Sequence, residues 1–184
     1  MGHRRLTVKR ALLFGICSLL SLSSFARGEP SEDQVKAAFV YNFAKFVEWP
    51  DSAFDDKNTP LFLCVLGKDK VSAALQLLEQ REVQGRQLRV SLLSGSGKDN
   101  FKNERCHILF VANSEAARQP EIIQQFAAIP VLTVANNLDF VKQGGMISLY
   151  VDEQRVQFAI NQNATHNNGL KLSARMLQLA RVPR

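Results

Sequence analysis

The sequence predicts an α/β fold: a mostly parallel sheet covered by helices on both faces, in a Rossmann-like three-layer arrangement. Three observations support this class. Short continuous apolar runs, typical of strands buried on both faces, alternate with segments of helical spacing. A hairpin pattern follows near the C-terminus, and an amphipathic helix comes last. Because strands that alternate with helices pair in parallel through crossovers, only the hairpin is expected to be antiparallel.

The first predicted element is an aromatic helix in residues 36–50, KAAFVYNFAKFVEWP. Its apolar side chains recur at three- and four-residue steps, as on one helix face. Ser31 and the glutamine three residues later form a candidate capping box, and Pro50 is expected to end the helix. Most of this face is expected to pack on the core, with Tyr41 and Trp49 as its exposed members.

The middle of the chain alternates between strand and helix patterns. The predicted strands are residues 61–66 (LFLCVL), 87–93 (QLRVSLL), 108–111 and 131–134. The predicted helices are 71–78 and 114–126, the second with a break at Pro120 left open, and a helical turn is predicted at 136–143. Residues 94–104 are rich in Gly, Ser, Lys and Asn, which indicates an exposed loop.

The C-terminal part is predicted to be a hairpin followed by a helix. Residues 146–151 and 155–160 have strand patterns and are separated by three polar residues. Residues 169–180 have the apolar spacing of an amphipathic helix. Residues 163–168 can be the first part of the same helix, with Gly169 inside it.

Residues 1–26 have the pattern of a cleaved signal peptide, with a basic start, a short apolar stretch and a small-x-small site ending at Ala26. The apolar stretch is shorter than the ~20 residues that span a bilayer, although an uncleaved N-terminal anchor stays open. Residues 27–184 then form a single exported domain, for which we expect a periplasmic location and no membrane insertion.

Charge gives no support to nucleic-acid binding. The full chain carries +6, but four of its basic residues lie in the first ten positions, so residues 27–184 carry 6 − 4 = +2. The remaining basic residues are interspersed with acids and form no basic stripe, as is typical of a solvated surface.

Two cysteines remain after removal of the signal, Cys64 in the first predicted core strand and Cys106 just before the third. An even count in an exported protein favours one disulfide, and a bond closing about 42 residues is worth ~4 kcal/mol by the chain-entropy estimate. Three interpretations stay open: a structural disulfide, a redox-labile disulfide, and two buried free thiols. No Cys-x-x-Cys motif indicates a thioredoxin-like site.

No pattern indicates a catalytic, cofactor or metal site. His107 directly follows Cys106, and adjacent strand residues point to opposite faces, which disfavours a Cys–His nucleophile. His166 lies among polar residues without a carboxylate partner. Gly144-Gly145 precedes a strand, whereas phosphate loops follow one. We therefore expect a protein that is not an enzyme and has no cofactor.

Seven segments resemble successive blocks of the YfiR-like family of bacterial periplasmic proteins. They occur in the family order and cover nearly all of residues 27–184: KAAFVYNFAKFVEWP, LCVLGKD, RCHILFVA, PVLTVAN, GGMISLY, VQFAIN and GLKLSARMLQLA. The resemblance implies a periplasmic α/β domain without known catalysis. Cys64 and Cys106 match a cysteine pair of the family, and a second pair found in some members is missing here.

The resemblance also implies a function and partners. The best-known members repress an inner-membrane diguanylate cyclase by binding its periplasmic sensor part, which lowers cyclic-di-GMP and biofilm formation. An outer-membrane lipoprotein can sequester the repressor, and disulfide state affects such members. A homodimer is a further expectation. On this chain, the candidate partner or ligand surface is assigned to Tyr41, Trp49 and Arg175. The side chain of Arg175 either packs its stem on the core with an exposed head or reaches a carboxylate.

Two functions of different classes therefore follow. The first is a non-enzymatic repressor that acts by protein–protein contact. The alternative is a periplasmic sensor that binds a small molecule, with a crevice at the ends of the sheet strands and a different cyclase partner or none.

Overall fold

The computed structural model describes residues 29–93 and 104–181. The strands are β1 (Val47–Glu48), β2 (Leu61–Leu66), β3 (Glu82–Val83), β4 (Arg86–Leu93), β5 (Ile108–Val111), β6 (Leu132–Ala135), β7 (Ile147–Asp152), β8 (Arg155–Ile160) and β9 (Lys171–Leu172). The helices are α1 (Glu32–Phe46), α2 (Lys70–Gln76), α3 (Gln119–Gln125), α4 (Asp139–Lys142), α5 (Gln162–Asn167) and α6 (Ala174–Leu179), with 3-10 helices at Asp51–Ala53 and Asn113–Arg118.

The main sheet has seven strands in the order β3-β4-β2-β5-β6-β7-β8. Its inner pairs, β4–β2, β2–β5, β5–β6 and β6–β7, are parallel, whereas β3–β4 and β7–β8 are antiparallel. The α/β class is confirmed, and the sheet is mixed, because a second antiparallel pair is present besides the predicted C-terminal hairpin. The additional antiparallel strand comes from a tight hairpin around Gln84-Gly85, which the strand patterns did not reveal.

Alternate strand residues face two separate cores, so helices cover both faces of the sheet. Leu63 and Val65 of β2 pack in the cluster that includes α1, α2 and α6. Cys64 and Leu66 face the other cluster, which contains Ile122 of α3 and residues beside it. This two-sided burial explains why the central strands are continuously apolar.

Helix α1 begins as predicted and ends earlier. Ser31 and Gln34 form the capping box. The helix stops at Phe46, because the next two residues form β1 and pair with β9. Pro50 therefore does not terminate it, and Trp49 lies beyond it.

The C-terminal segment is two short helices rather than one. The backbone N–H of Leu170 donates to the Thr165 carbonyl (3.1 Å), which closes α5 at Gly169. Strand β9 follows, and the Ser173 side chain then caps α6. The chain turns here because β9 completes the pairing with β1.

The predicted signal peptide lies outside the described residues, as does nearly all of the predicted loop at 94–104. Within the two ranges that are described, no helix has both the length and the apolar character needed to cross a membrane.

Both hairpins of the sheet turn through two residues with left-handed backbone. Gln84 and Gly85 have φ of 52° and 74°, and Glu153 and Gln154 have φ of 46° and 62°. Left-handed geometry at both positions is that of the turn that matches strand twist, and it favours glycine at the second position. The first turn has that glycine, whereas the second has Gln154, which carries a side chain in a costly conformation.

We predict that Gln154→Gly stabilises the protein by about 1 kcal/mol, because it removes this conformational cost. Thermal and urea unfolding measure the change, with an expected rise in Tm of about 2–4 °C. The matched control is Gln87→Gly, at an exposed position within β4, which should lower Tm. A decrease of similar size in both variants would show that the turn is not strained.

Candidate functional site

The structure joins Cys64 to Cys106 by a disulfide, as the sequence predicted. Cys64 is in β2, Cys106 lies two residues before β5, and their Cα atoms are 5.6 Å apart. Their side chains are buried, at 1% and 9% exposure. The two cysteines are 42 residues apart in the sequence, and their bond links two strands that are neighbours in the sheet. The chain-entropy estimate for such a loop is ~4 kcal/mol.

His107 makes a second connection between the same strands. The backbone N–H of Phe62 donates to Nδ1 of His107 (3.0 Å). The ring proton is therefore on Nε2, which donates to the Ala53 carbonyl (2.9 Å). The ring also stacks between Phe54 (4.4 Å between centroids) and Phe62 (5.9 Å). Both nitrogens are occupied, and Cys106 is bonded, so the two residues form no nucleophilic pair.

Burial is the main cause that lowers the pKa of His107 from its ordinary value of 6.5. The charge of Arg86 lowers the pKa further, while the hydrogen bond to Ala53 and the charge of Asp55 act in the opposite direction. The residue is only 4% exposed. His107 is thus held neutral, as its acceptor role at Nδ1 requires.

Trp49 is buried rather than exposed, which corrects its assignment to the candidate surface. Its side chain is 9% exposed, and Nε1 donates to the carbonyl of His107 (3.1 Å). The indole also meets the His107 ring edge-on at 6.4 Å. Because Trp49 follows β1 instead of lying on α1, it points at the sheet and anchors the segment after the helix.

Tyr41 and Arg175 belong to the same helical layer, and both reach solvent. Tyr41 is half-buried; its hydroxyl donates to the Glu82 carbonyl (2.8 Å), and Lys45 Nζ lies 4.2 Å from the ring centroid. Arg175 is exposed and its guanidinium lies 5.8 Å from the ring of Phe46. The charged head of Arg175 thus lies near an aromatic ring, and the two predicted arrangements of its side chain stay predictions.

A cleft of about 270 Å³ opens at the amino ends of β5 and β6, next to the disulfide. Its apolar wall includes Phe62, Phe126 and Cys106. Arg105 and Asp55 lie at its rim, where Arg105 Nη1 donates to Asp55 Oδ2 (2.6 Å). The combination of an apolar wall and a charged rim suits a small amphipathic ligand or one side chain of a partner.

The carboxyl ends of β2 and β5 are closed by contacts between their loops. The backbone N–H of Lys68 donates to Ser114 Oγ (2.9 Å), and that of Asn113 donates to Asp69 Oδ2 (3.2 Å). A Cβ on Gly67 would collide with the Ser114 side chain, so only glycine permits this approach. A crevice was expected at the strand ends, and the cleft described above lies at the amino ends of β5 and β6.

Sequence reasoning missed the contacts around the 51–60 loop. Arg86 Nη1 donates to the carbonyls of Asp56 (2.9 Å) and Thr59 (2.7 Å), and its guanidinium lies 3.8 Å from the centroid of Phe54. The loop thereby holds Phe54 against His107. No local pattern indicates such contacts, because they join residues about 30 or more apart. Among the described residues, no group of His, Cys, Asp or Glu could hold a metal ion.

We predict that the free energy of unfolding falls as the pH falls from about 7.5 to 5, partly through His107. With its pKa lowered in the folded state, the unfolded chain binds a proton below about 6.5 before the native protein does. The stability contribution is complete above the unfolded pKa and is lost as the pH falls toward the folded pKa. Urea unfolding at pH 7.5 and 5 measures this slope.

His107→Gln should lower stability at pH 7.5 and flatten the pH dependence, since glutamine does not titrate. The control is the exposed His166→Asn, which should keep the native slope. If both variants keep the full slope, the burial of His107 does not contribute to it.

Comparison with protein families gives the identity of the domain. The model of the YfiR/HmsC-like family matches residues 33–181. No curated protein matches the chain at a significant level. The match covers all elements from the first turn of α1 through α6, including both cysteines of the disulfide. The chain therefore belongs to the YfiR/HmsC-like family.

Proposed function

We propose that the protein is a periplasmic regulator that binds and represses the periplasmic sensor part of an inner-membrane diguanylate cyclase, thereby lowering cyclic-di-GMP and biofilm formation. The family match over residues 33–181 carries this proposal. An outer-membrane lipoprotein that sequesters the regulator, and a homodimer, are parts of the same proposal. The protein acts by contact rather than by catalysis.

Repression by contact is a population shift. The regulator must bind the inactive sensor more tightly than the active one, because a ligand with equal affinity for both states shifts nothing. Shifting the ratio of inactive to active sensor from 1:99 to 99:1 requires the regulator to bind the inactive state about 10⁴-fold more tightly than the active one. The proposal therefore needs a rigid surface, and the helical layer of α1 and α6 supplies one because it packs into the larger core.

We assign the partner contact to the solvent-facing side of α1 and α6, with Tyr41 and Arg175 as its anchors. Tyrosine and arginine are the residue types that most often dominate binding energy at interfaces. The Tyr41 ring, with Lys45 near it and its hydroxyl held by Glu82, is already oriented, so less side-chain freedom is lost on binding.

The disulfide gives this regulator a proposed redox response. Cys106 lines the cleft, while Cys64 is fully buried. Reduction would release the covalent tie between β2 and β5 and leave only their strand pairing and His107. A loosened sheet would support the helical layer less well, and binding to the partner would weaken.

The test is a pull-down from periplasm and detergent-solubilised membrane with the 27–184 protein, oxidised and reduced in parallel. Recovery of a diguanylate cyclase by the oxidised protein is expected, with weaker recovery after reduction. Recovery of no membrane partner in either state contradicts the repressor function, and equal recovery in both states contradicts the redox response alone.

Two variants then locate the surface on the recovered partner. Tyr41→Ala and Arg175→Ala should each raise the Kd about tenfold or more. Lys142→Ala is the control, because α4 covers the opposite face of the sheet and this substitution should leave the Kd unchanged. Equal affinities for all three variants would move the contact away from α1 and α6.

A second candidate function, a small-molecule sensor, is favoured by the cleft beside the disulfide. We predict that a ligand from a metabolite panel raises the Tm of the native protein by mass action. Ile129→Trp, which fills the cleft from its wall, should abolish the shift. The control Leu77→Trp, on an exposed site elsewhere, should retain it. A panel without any shift leaves the repressor as the only candidate function.

A further inference from the structure

Unpaired buried polar groups occur in two segments that follow the carboxyl ends of β5 and β6. In the ranges that the structure describes, five buried side-chain atoms lack a hydrogen-bond partner within the protein: Arg118 Nε, Arg118 Nη2, Gln119 Nε2, Asn136 Oδ1 and Asn137 Nδ2. Buried polar atoms are almost always paired, so each such atom calls for an explanation. Here they come from only two short segments of the chain.

Both segments leave the sheet at the same edge. Val111 at the end of β5 is paired with Ala135 at the end of β6, and the two strands are parallel. Asn136 and Asn137 therefore directly follow β6 at this edge. The chain leaves β5 at the same edge on its way to Arg118. At this edge the connections after β2 and β5 diverge, to α2 on one face and to α3 on the other. Such a switch point is where open α/β sheets bind ligands.

The guanidinium of Arg118 has one donor paired within the protein and two that are not. Its Nη1 donates to Glu115 Oε2 (3.0 Å), and its side chain is 22% exposed. The remaining edge of the guanidinium consists of Nε and Nη2, whose parallel N–H groups match the two oxygens of a carboxylate or phosphate. Leaving charged donors buried and unpaired is costly, and an oxyanion at this edge removes that cost.

The neighbouring amides add donors of the same kind. Gln119 is 1% exposed, with its Nε2 unpaired. Asn137 accepts a hydrogen bond from the backbone N–H of Phe140 (3.1 Å), which fixes its amide so that Nδ2 is left as the free donor. Four of the five unpaired atoms are therefore donors, and the only formal charge among them is positive. The set is complementary to an anion.

We propose that this edge binds a small oxyanion, a carboxylate or a phosphate, held by the Nε and Nη2 atoms of Arg118 with help from Gln119 and Asn137. The donors are covered in the structure, so entry requires a local displacement of the Asn113–Arg118 3-10 helix, whose last residue is Arg118 itself. This segment is a short helix of a marginal type, and Ser114 and Asn113 tie it to the β2 loop through one hydrogen bond each. Glu115 opposes the ligand electrostatically, because its carboxylate, paired with Nη1 of Arg118, places a negative charge beside the proposed site.

The experiment is thermal unfolding of the 27–184 protein in sodium phosphate, sodium acetate and sodium chloride at matched ionic strength. We expect phosphate or acetate to give a saturable rise in Tm of a few degrees above chloride. Arg118→Gln should abolish the rise, whereas Arg89→Gln, which removes an arginine paired with Glu79 on a different strand, β4, should keep it.

Glu115→Gln keeps Arg118 and removes the opposing negative charge, so it should shift the midpoint of the anion titration to lower concentration. This arm remains informative if Arg118→Gln fails to fold. Equal Tm values in all three salts would overturn the proposal and indicate that ordered water satisfies these donors. A rise that survives in Arg118→Gln would overturn it too, as a general salt effect. None of these outcomes depends on whether a cyclase is bound.

Discussion

The structure depends on the parallel pairing of β2 with β5, two strands that the chain visits 42 residues apart, counted between the bonded cysteines. Between them the chain forms α2, then β3 and β4, and β4 pairs with the other side of β2. Closing such a loop costs conformational entropy before any contact compensates for it. The disulfide removes much of this cost from the folding equilibrium, and the helices on both faces can then pack on a sheet whose centre is fixed.

His107 extends this constraint from the sheet to the segments that surround its amino edge. The residue sits beside Cys106, and its main chain and ring together contact the 3-10 helix after α1, strand β2 and Trp49. The hydrogen bond from Phe62 requires a neutral ring, because a proton on Nδ1 would remove its acceptor. A buried neutral histidine thus acts as a connector here, and the disulfide and the histidine stabilise the same junction by different means.

Local sequence patterns predicted helices and strands, whereas the environment of individual side chains depends on contacts between residues far apart in the sequence. The capping box at Ser31 and the apolar run of β2 depend on residues close in sequence, so both could be read from it. Trp49 could not be placed, because its burial follows from a two-residue strand whose partner, β9, is more than 120 residues away. Arg118 carried no signal either, because which of its donors are buried and unpaired is a property of the folded chain and not of the residues next to it in sequence. Sequence patterns found the pairing of the cysteines but not the histidine junction beside it.

Strand β5 runs from the amino edge of the sheet, beside the disulfide and His107, to the carboxyl edge, where the anion site is proposed. It has four residues, about 13 Å at the usual rise, with the disulfide and His107 before it and the Arg118 segment after it. All four residues are buried, so the strand is held by both cores and is expected to move as a unit rather than to bend. A structural change at one edge therefore affects the other edge only if it displaces β5 or alters the pairing of β5 with β2. By linkage, an oxyanion that prefers the oxidised protein would make the disulfide harder to reduce by the same free energy, and one that binds both forms equally would leave it unaffected.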